Sequence, residues 1–132
     1  MVLDEDYKNG IIWQDIQHQR LLSTIKSLAN SAVAGRSDKE LFYKTIYFLK
    51  EYISCHFATE ELYMTKYGYP GIKNHLEEHH LFIEDFKKFI SQSIYSAKES
   101  ATLLNSLNVW FVNHIKGTDR QLAKFLLDRA KI

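Results

Sequence analysis

The stretch HLEEHHLFIEDFKKFI, residues 75–90, admits two readings, and the choice between them decides the fold. Its first five letters match H-x-x-E-H, the zinc motif of one class of metallopeptidases. Read as one face of a helix, His75, His79, Phe82, Phe86 and Phe89 or Ile90 recur at steps of three and four residues, so both histidines point the way the phenylalanines do. His80 lies about 100° around the helix from His79 and belongs to the surface. The same angle turns Glu78 away from the His79 direction, where a peptidase needs its base. The helical reading therefore wins, and it places two imidazoles in an apolar core.

The rest of the chain carries the same period. A single proline and few glycines permit long helices almost everywhere. A first helix is expected from about Asp15 to Ala34, with His18, Leu21, Leu22, Ile25, Leu28, Ala29 and Ala32 on one face and Gly35 as its stop. Ser37-Asp38-Lys39-Glu40 reads as a capping box opening a second helix to about Tyr67, whose inner face is Phe42, Thr45, Leu49, Tyr52, His56 and Glu60. Gly68 ends it, and Tyr69-Pro70 opens a third helix reaching about Ser93. Ser96-Ala97-Lys98-Glu99 repeats the capping pattern before a fourth, with Leu103, Leu107, Trp110 or Phe111, and His114 facing inward. Gly117 is expected to interrupt this helix before a short C-terminal one beginning at Asp119. Four such helices and short loops predict an all-α, up-down-up-down antiparallel four-helix bundle with a short C-terminal helix, one domain over residues 1–132.

Charge and cysteine usage narrow the partners. Seventeen Lys plus Arg against 16 Asp plus Glu leave no basic excess for nucleic acid. No apolar run suits a membrane span or a secretory signal, which predicts a soluble, cytoplasmic protein. The single cysteine, Cys55, excludes an internal disulfide and is expected to be a small buried apolar side chain.

Each of the four helices thus points at least one histidine inward: His18, His56, His75 with His79, and His114. Burying several imidazoles and a carboxylate together costs several kcal/mol unless each finds a partner, and bound metal satisfies all of them at once. Five nitrogens are too many for one zinc. With Glu60 facing inward and Asp119 just beyond Gly117, the set points to a two-metal site bridged by carboxylates, with iron the expected metal. A ferritin-like site needs Glu-x-x-His on two helices, and Glu77-x-x-His80 supplies one copy only.

Asp15-x-x-His18, His56-Phe57-x-x-Glu60-Glu61 with Met64 following, Tyr69-Pro70, His75-x-x-x-His79 and Trp110-x-x-x-His114-Ile115-x-x-x-Asp119 occur in this order. In these pieces the sequence resembles the hemerythrin family, specifically its single-domain bacterial type. The resemblance implies two iron ions, cycling between Fe2+ and Fe3+ and joined by an oxo or hydroxo bridge. His75, His79 and His114 would hold one iron, His18 and His56 the other, with Glu60 and Asp119 bridging both. The second iron is left with an open position, where the family binds dioxygen reversibly for storage, delivery or scavenging. By the same implication Leu21, Phe57, Trp110, Phe111 and Ile115 line an apolar oxygen pocket. An oxygen- or redox-sensing module, or a diiron enzyme acting on peroxide or nitric oxide, are the alternatives; catalysis is not the expected role. The sequence departs from the family at Met1-Val2-Leu3, where members often carry a tryptophan before the first helix, and this implies a less shielded site that oxidises faster.

Overall fold

The computed structural model describes residues 7–33, 39–91 and 95–130. The expected stop at Gly35, the cap at Ser37-Asp38, the helix end at Ser93 and the segment Met1-Val2-Leu3 lie outside the described residues, as do the side chains of Ala32 and Ile90. Every regular element among the described residues is helical: α1 (Ile12–Val33), α2 (Lys39–Tyr52), a π-helical turn π1 (Ile53–Phe57), α3 (Ala58–Tyr67), α4 (Ile72–Ser91), α5 (Ala97–Trp110), a longer π-helical segment π2 (Phe111–Thr118), and α6 (Asp119–Ala130). None of them is long and apolar enough to cross a membrane.

The elements form four rods, because α2, π1 and α3 follow one another without a break, and so do α5, π2 and α6. The rod ends obey the local chemistry. Ser96, in extended backbone, accepts a hydrogen bond from the Glu99 amide at 3.0 Å and caps α5. Gly68 closes α3 in the left-handed region at φ 65°; its amide donates to Thr65 and the Tyr69 amide to Met64. That pair of bonds satisfies the last carbonyls of the helix. The next rod starts at Ile72, two residues beyond Pro70.

Gly117 does not interrupt the fourth rod as its sequence position suggested. It lies inside π2, where the wider turn keeps the backbone helical, and Asp119 donates its amide to the carbonyl of His114 five residues back. Cys55 corrects a second expectation, for it is exposed. In π1 the inward directions go to His56 and Phe57, which turns their neighbour outward.

Helix α1 packs on α2 and α5, while α3 packs on α4 and α6. The buried side chains fall into layers. One apolar cluster holds Leu21, Leu22, Ile25, Phe42, Leu49, Phe82, Leu103 and Leu107; a smaller one holds Met64, Leu122 and Leu126, with Ile11, Trp13 and Tyr69 against it. Between these clusters along every rod sits a run of buried polar residues: Gln14 and His18, His56 and Glu60, His75 and His79, His114 and Asp119. All the residues read as inward stripes that the structure describes are buried, except Phe89, which is half-buried.

The two glycines at rod positions test this account in opposite directions. A methyl at Gly68 meets no neighbour but is held in the left-handed region, so Gly68→Ala should lower stability by about 1 kcal/mol. Gly117→Ala, helical and unobstructed, should raise it by roughly 0.5 kcal/mol. Denaturant unfolding of the two variants checks both signs.

Candidate metal centre

Four rods deliver eight buried polar side chains to the middle of the fold, and seven of them converge. His18, His56, Glu60, His75, His79, His114 and Asp119 are all at most 2% exposed. They form two overlapping groups. One comprises Glu60, His75, His79, His114 and Asp119, the other His18, His56, Glu60 and Asp119; within each, the facing atoms lie within 4.8 Å of one another. Both groups contain the same two carboxylates.

The oxygens of those carboxylates face different histidines. Glu60 Oε1 lies 3.1 Å from Nε2 of both His75 and His79, whereas Oε2 lies 3.3 Å from Nε2 of His56. Asp119 Oδ1 lies 3.0 Å from Nε2 of both His75 and His114, whereas Oδ2 is 2.8 Å from His18 and 3.4 Å from His56. All five imidazoles present the same ring nitrogen inward. The contact between His114 Nε2 and Asp119 Oδ1 is not aligned as a hydrogen bond, and both atoms are buried without one. A donor set of five imidazole nitrogens and two carboxylates, with no thiolate, suits iron, zinc, copper or nickel, so the residues fit a metal centre.

Local helix geometry explains the convergence. His56 and Glu60, and His75 and His79, are each one helical turn apart, hence neighbours on one face. His114 and Asp119 are five apart, a spacing that an α-helix splays by about 140°. The π2 segment brings them back to the same side. Their spacing was the one sequence signal for this wide turn, and it went unread; nothing comparable marks π1.

Three of the five outer ring nitrogens find partners that sequence reasoning missed, while those of His18 and His75 are buried without a hydrogen bond. His56 Nδ1 donates to Gln17 Oε1, His79 Nδ1 to Glu61 Oε2 at 3.2 Å, and His114 Nδ1 to Glu78 Oε1 at 2.8 Å. Glu78, read as a residue on another side of its helix, is half-buried and accepts from Thr118 and Asn74 as well. Buried Gln14 donates to Glu60 Oε2 at 3.0 Å, a role its place one turn before His18 could have suggested. Rings stack on three of the histidines: Phe57 on His79 at 3.8 Å, Trp110 on His114 at 3.9 Å, and Tyr52 on His56 at 4.8 Å. Leu21, Phe111 and Ile115 are fully buried in the adjoining apolar cluster. The surroundings of the histidines are not purely apolar, since the Tyr52 hydroxyl and the Trp110 indole N–H are buried without a completed hydrogen bond. His80 is exposed, as its angle required.

Charge couples these groups. Burial and the Asp119 charge push the Glu60 carboxyl up, but His56, His75 and His79 outweigh them and leave it lowered. Burial likewise opposes ionisation of Asp119, yet His114, His18 and His56 hold it well below the usual carboxylate range. Burial pushes His75 down, and its contacts with Asp119 and Glu60 lift it to about 9.

A family model described as "Hemerythrin HHE cation binding domain" matches residues 9–126. The bacteriohemerythrin of Stenotrophomonas maltophilia is 28% identical over 125 residues, 93% of this chain and 79% of its own length. The bacteriohemerythrin of Clostridium acetobutylicum is 29% identical over 126 residues, 91% of this chain and 96% of its own. The myohemerythrin of Theromyzon tessulatum is 31% identical over 109 residues, 80% of this chain and 76% of its own.

The titration directions give a pH dependence. At neutral pH His75 holds a proton on the cluster side that metal must displace, so apparent zinc affinity of the metal-free chain should rise from pH 6 to about 9, with proton release on binding. Calorimetry in buffers of different ionisation heat measures that release; pH-independent affinity would contradict it. Without metal, the raised His75 contributes stability at low pH that is lost as pH rises through about 9, and the lowered Asp119 contributes stability that is lost as pH falls through the acid range.

Proposed function

The chain belongs to the hemerythrin family, and on that premise we propose that it binds dioxygen reversibly at a non-heme diiron centre, as a carrier or store and not as an enzyme. The observation that carries this reading is the division of each shared carboxylate, one oxygen toward His75, His79 and His114, the other toward His18 and His56. A single ion at either group would leave the other group's buried nitrogens with only the shared carboxylates as partners. We therefore assign one iron to His75, His79 and His114, a second to His18 and His56, and a bridging role to Glu60 and Asp119.

Such a pair is unequal. His75, His79 and His114 with the two carboxylates would fill one iron, whereas His18 and His56 with the same carboxylates would leave the other with an open position, where the pair would supply dioxygen binding. The chain's own residues then keep the reaction reversible. The ligands' burial excludes bulk water, and we assign Leu21, Phe57, Trp110, Phe111 and Ile115 to the wall of the oxygen pocket. The rings on His56, His79 and His114 hold those imidazoles in plane.

The layer order supports an up-down-up-down bundle in one domain. Along the first and third rods the small apolar cluster precedes the polar layer, and along the second and fourth it follows, as alternating directions require. We place the protein in the cytoplasm, where an exposed thiol such as Cys55 stays reduced.

Oxygen cycling tests the reading. Reduced, iron-loaded protein should develop a visible charge-transfer band on exposure to O2 and lose it on degassing, over repeated cycles. Conversion to the ferric state in a single exposure, with no band that degassing bleaches, would rule out carriage.

A further inference from the structure

The two halves of the centre differ in what stands behind their histidines. On the three-histidine side, His114 Nδ1 donates to Glu78 at 2.8 Å and His79 Nδ1 to Glu61 at 3.2 Å. On the two-histidine side, His56 Nδ1 donates to the neutral amide oxygen of Gln17. Among the described residues no carboxylate stands behind His18 or His56; His18 Nδ1 on this side and His75 Nδ1 on the other are each buried without a hydrogen bond, so the contrast lies in His79 and His114 against His56.

Glu78 is the better anchored of the two carboxylates. Thr118 donates to its oxygens at 2.8 and 3.0 Å, and Asn74, one turn earlier on α4, donates at 3.0 Å. Thr118 is the last residue of π2, the segment that turns His114 inward, so the same wide turn supplies both the imidazole and a clamp on the carboxylate behind it. The Glu78 side chain is 30% exposed and that of Glu61 45%, which leaves Glu78 less screened by solvent.

An anionic acceptor behind an imidazole makes the inner nitrogen a stronger donor, and a more electron-rich ligand set favours the higher oxidation state of the metal. We propose that Glu78, with Glu61 in a lesser part, makes the His75, His79 and His114 half of the centre the more readily oxidised, while Gln17 leaves the His18 and His56 half poorer in electrons. This rests on the two-iron reading above and adds an order to it. When the diferrous pair gives up one electron, to ferricyanide for example, that electron leaves the three-histidine iron and ferrocyanide is the product. The half with the open position stays ferrous until the second electron goes. Glu78 acts through His114 and touches neither metal position, so it is a positioning residue that tunes potential.

Two substitutions separate charge from shape. Glu78→Gln keeps an acceptor oxygen for His114 and removes the charge; Gln17→Glu puts a charge behind His56. Spectroelectrochemical titration of the iron-loaded proteins, with iron counted on the same samples, should show the first oxidation of Glu78→Gln displaced upward by about tenfold in its equilibrium constant, or ~59 mV for one electron. Gln17→Glu should move the second oxidation downward and draw the two steps together. A first step that stays put in Glu78→Gln loaded with two irons overturns the proposal and leaves the two-iron reading standing. A wild-type chain that takes up only one iron overturns both. Proton NMR of the zinc-loaded wild-type chain needs no variant to load: the Nδ1–H resonances of His114 and His79 should lie downfield of that of His56, and coincident resonances would overturn the proposal.

Discussion

Glu60 and Asp119 are two fully buried carboxylates whose facing oxygens lie within 4.8 Å of one another, and most of the fold is arranged around that fact. Two negative charges so close repel by roughly 4 kcal/mol even at an effective dielectric near 20, before the cost of taking each out of water. Positive charge must therefore stand between and beside them. Five imidazoles supply the partners, and each carboxylate turns one oxygen to each group of histidines. A pair of cations placed at the two groups would neutralise the carboxylates and satisfy all five inward nitrogens together.

Holding that cluster dry and fixed is the work of the surrounding rods. Apolar layers close it on both sides, and aromatic rings lie flat on three of the imidazoles. Two rods depart from α-helical geometry, and each departure contains an inward histidine, His56 in π1 and His114 in π2. Such insertions loosen the backbone ladder, and they are found where a side chain must be aimed at the expense of regular bonding. Here they aim one imidazole into each half of the centre.

Much of this was legible in the sequence. The three- and four-residue recurrence of His18, His56, His75, His79 and His114 with apolar residues gave both the helices and the inward placement, because helix faces are fixed by spacing alone. Glu60 followed from His56 by one turn, and Asp119 from its place beyond Gly117. What spacing does not encode is which neighbouring rod a half-buried side chain meets. Glu78 was therefore placed on another side of its helix, and Gln17 and Glu61 were given no role, although all three orient histidines. Gly117 and Cys55 were misread for a related reason. Each sits in a π segment, where the angular step per residue differs from the one the reading assumed, so a glycine did not mean a break and a cysteine did not face the core.

The division of Glu60 and Asp119 between two histidine groups is the central claim, and the number of irons per chain measures it most directly. Protein produced with iron in excess and freed of loosely bound metal should carry two irons per chain by elemental analysis, falling together, not singly, when Asp119 is replaced by alanine. One iron per chain, with the second group of histidines left empty, would contradict the account.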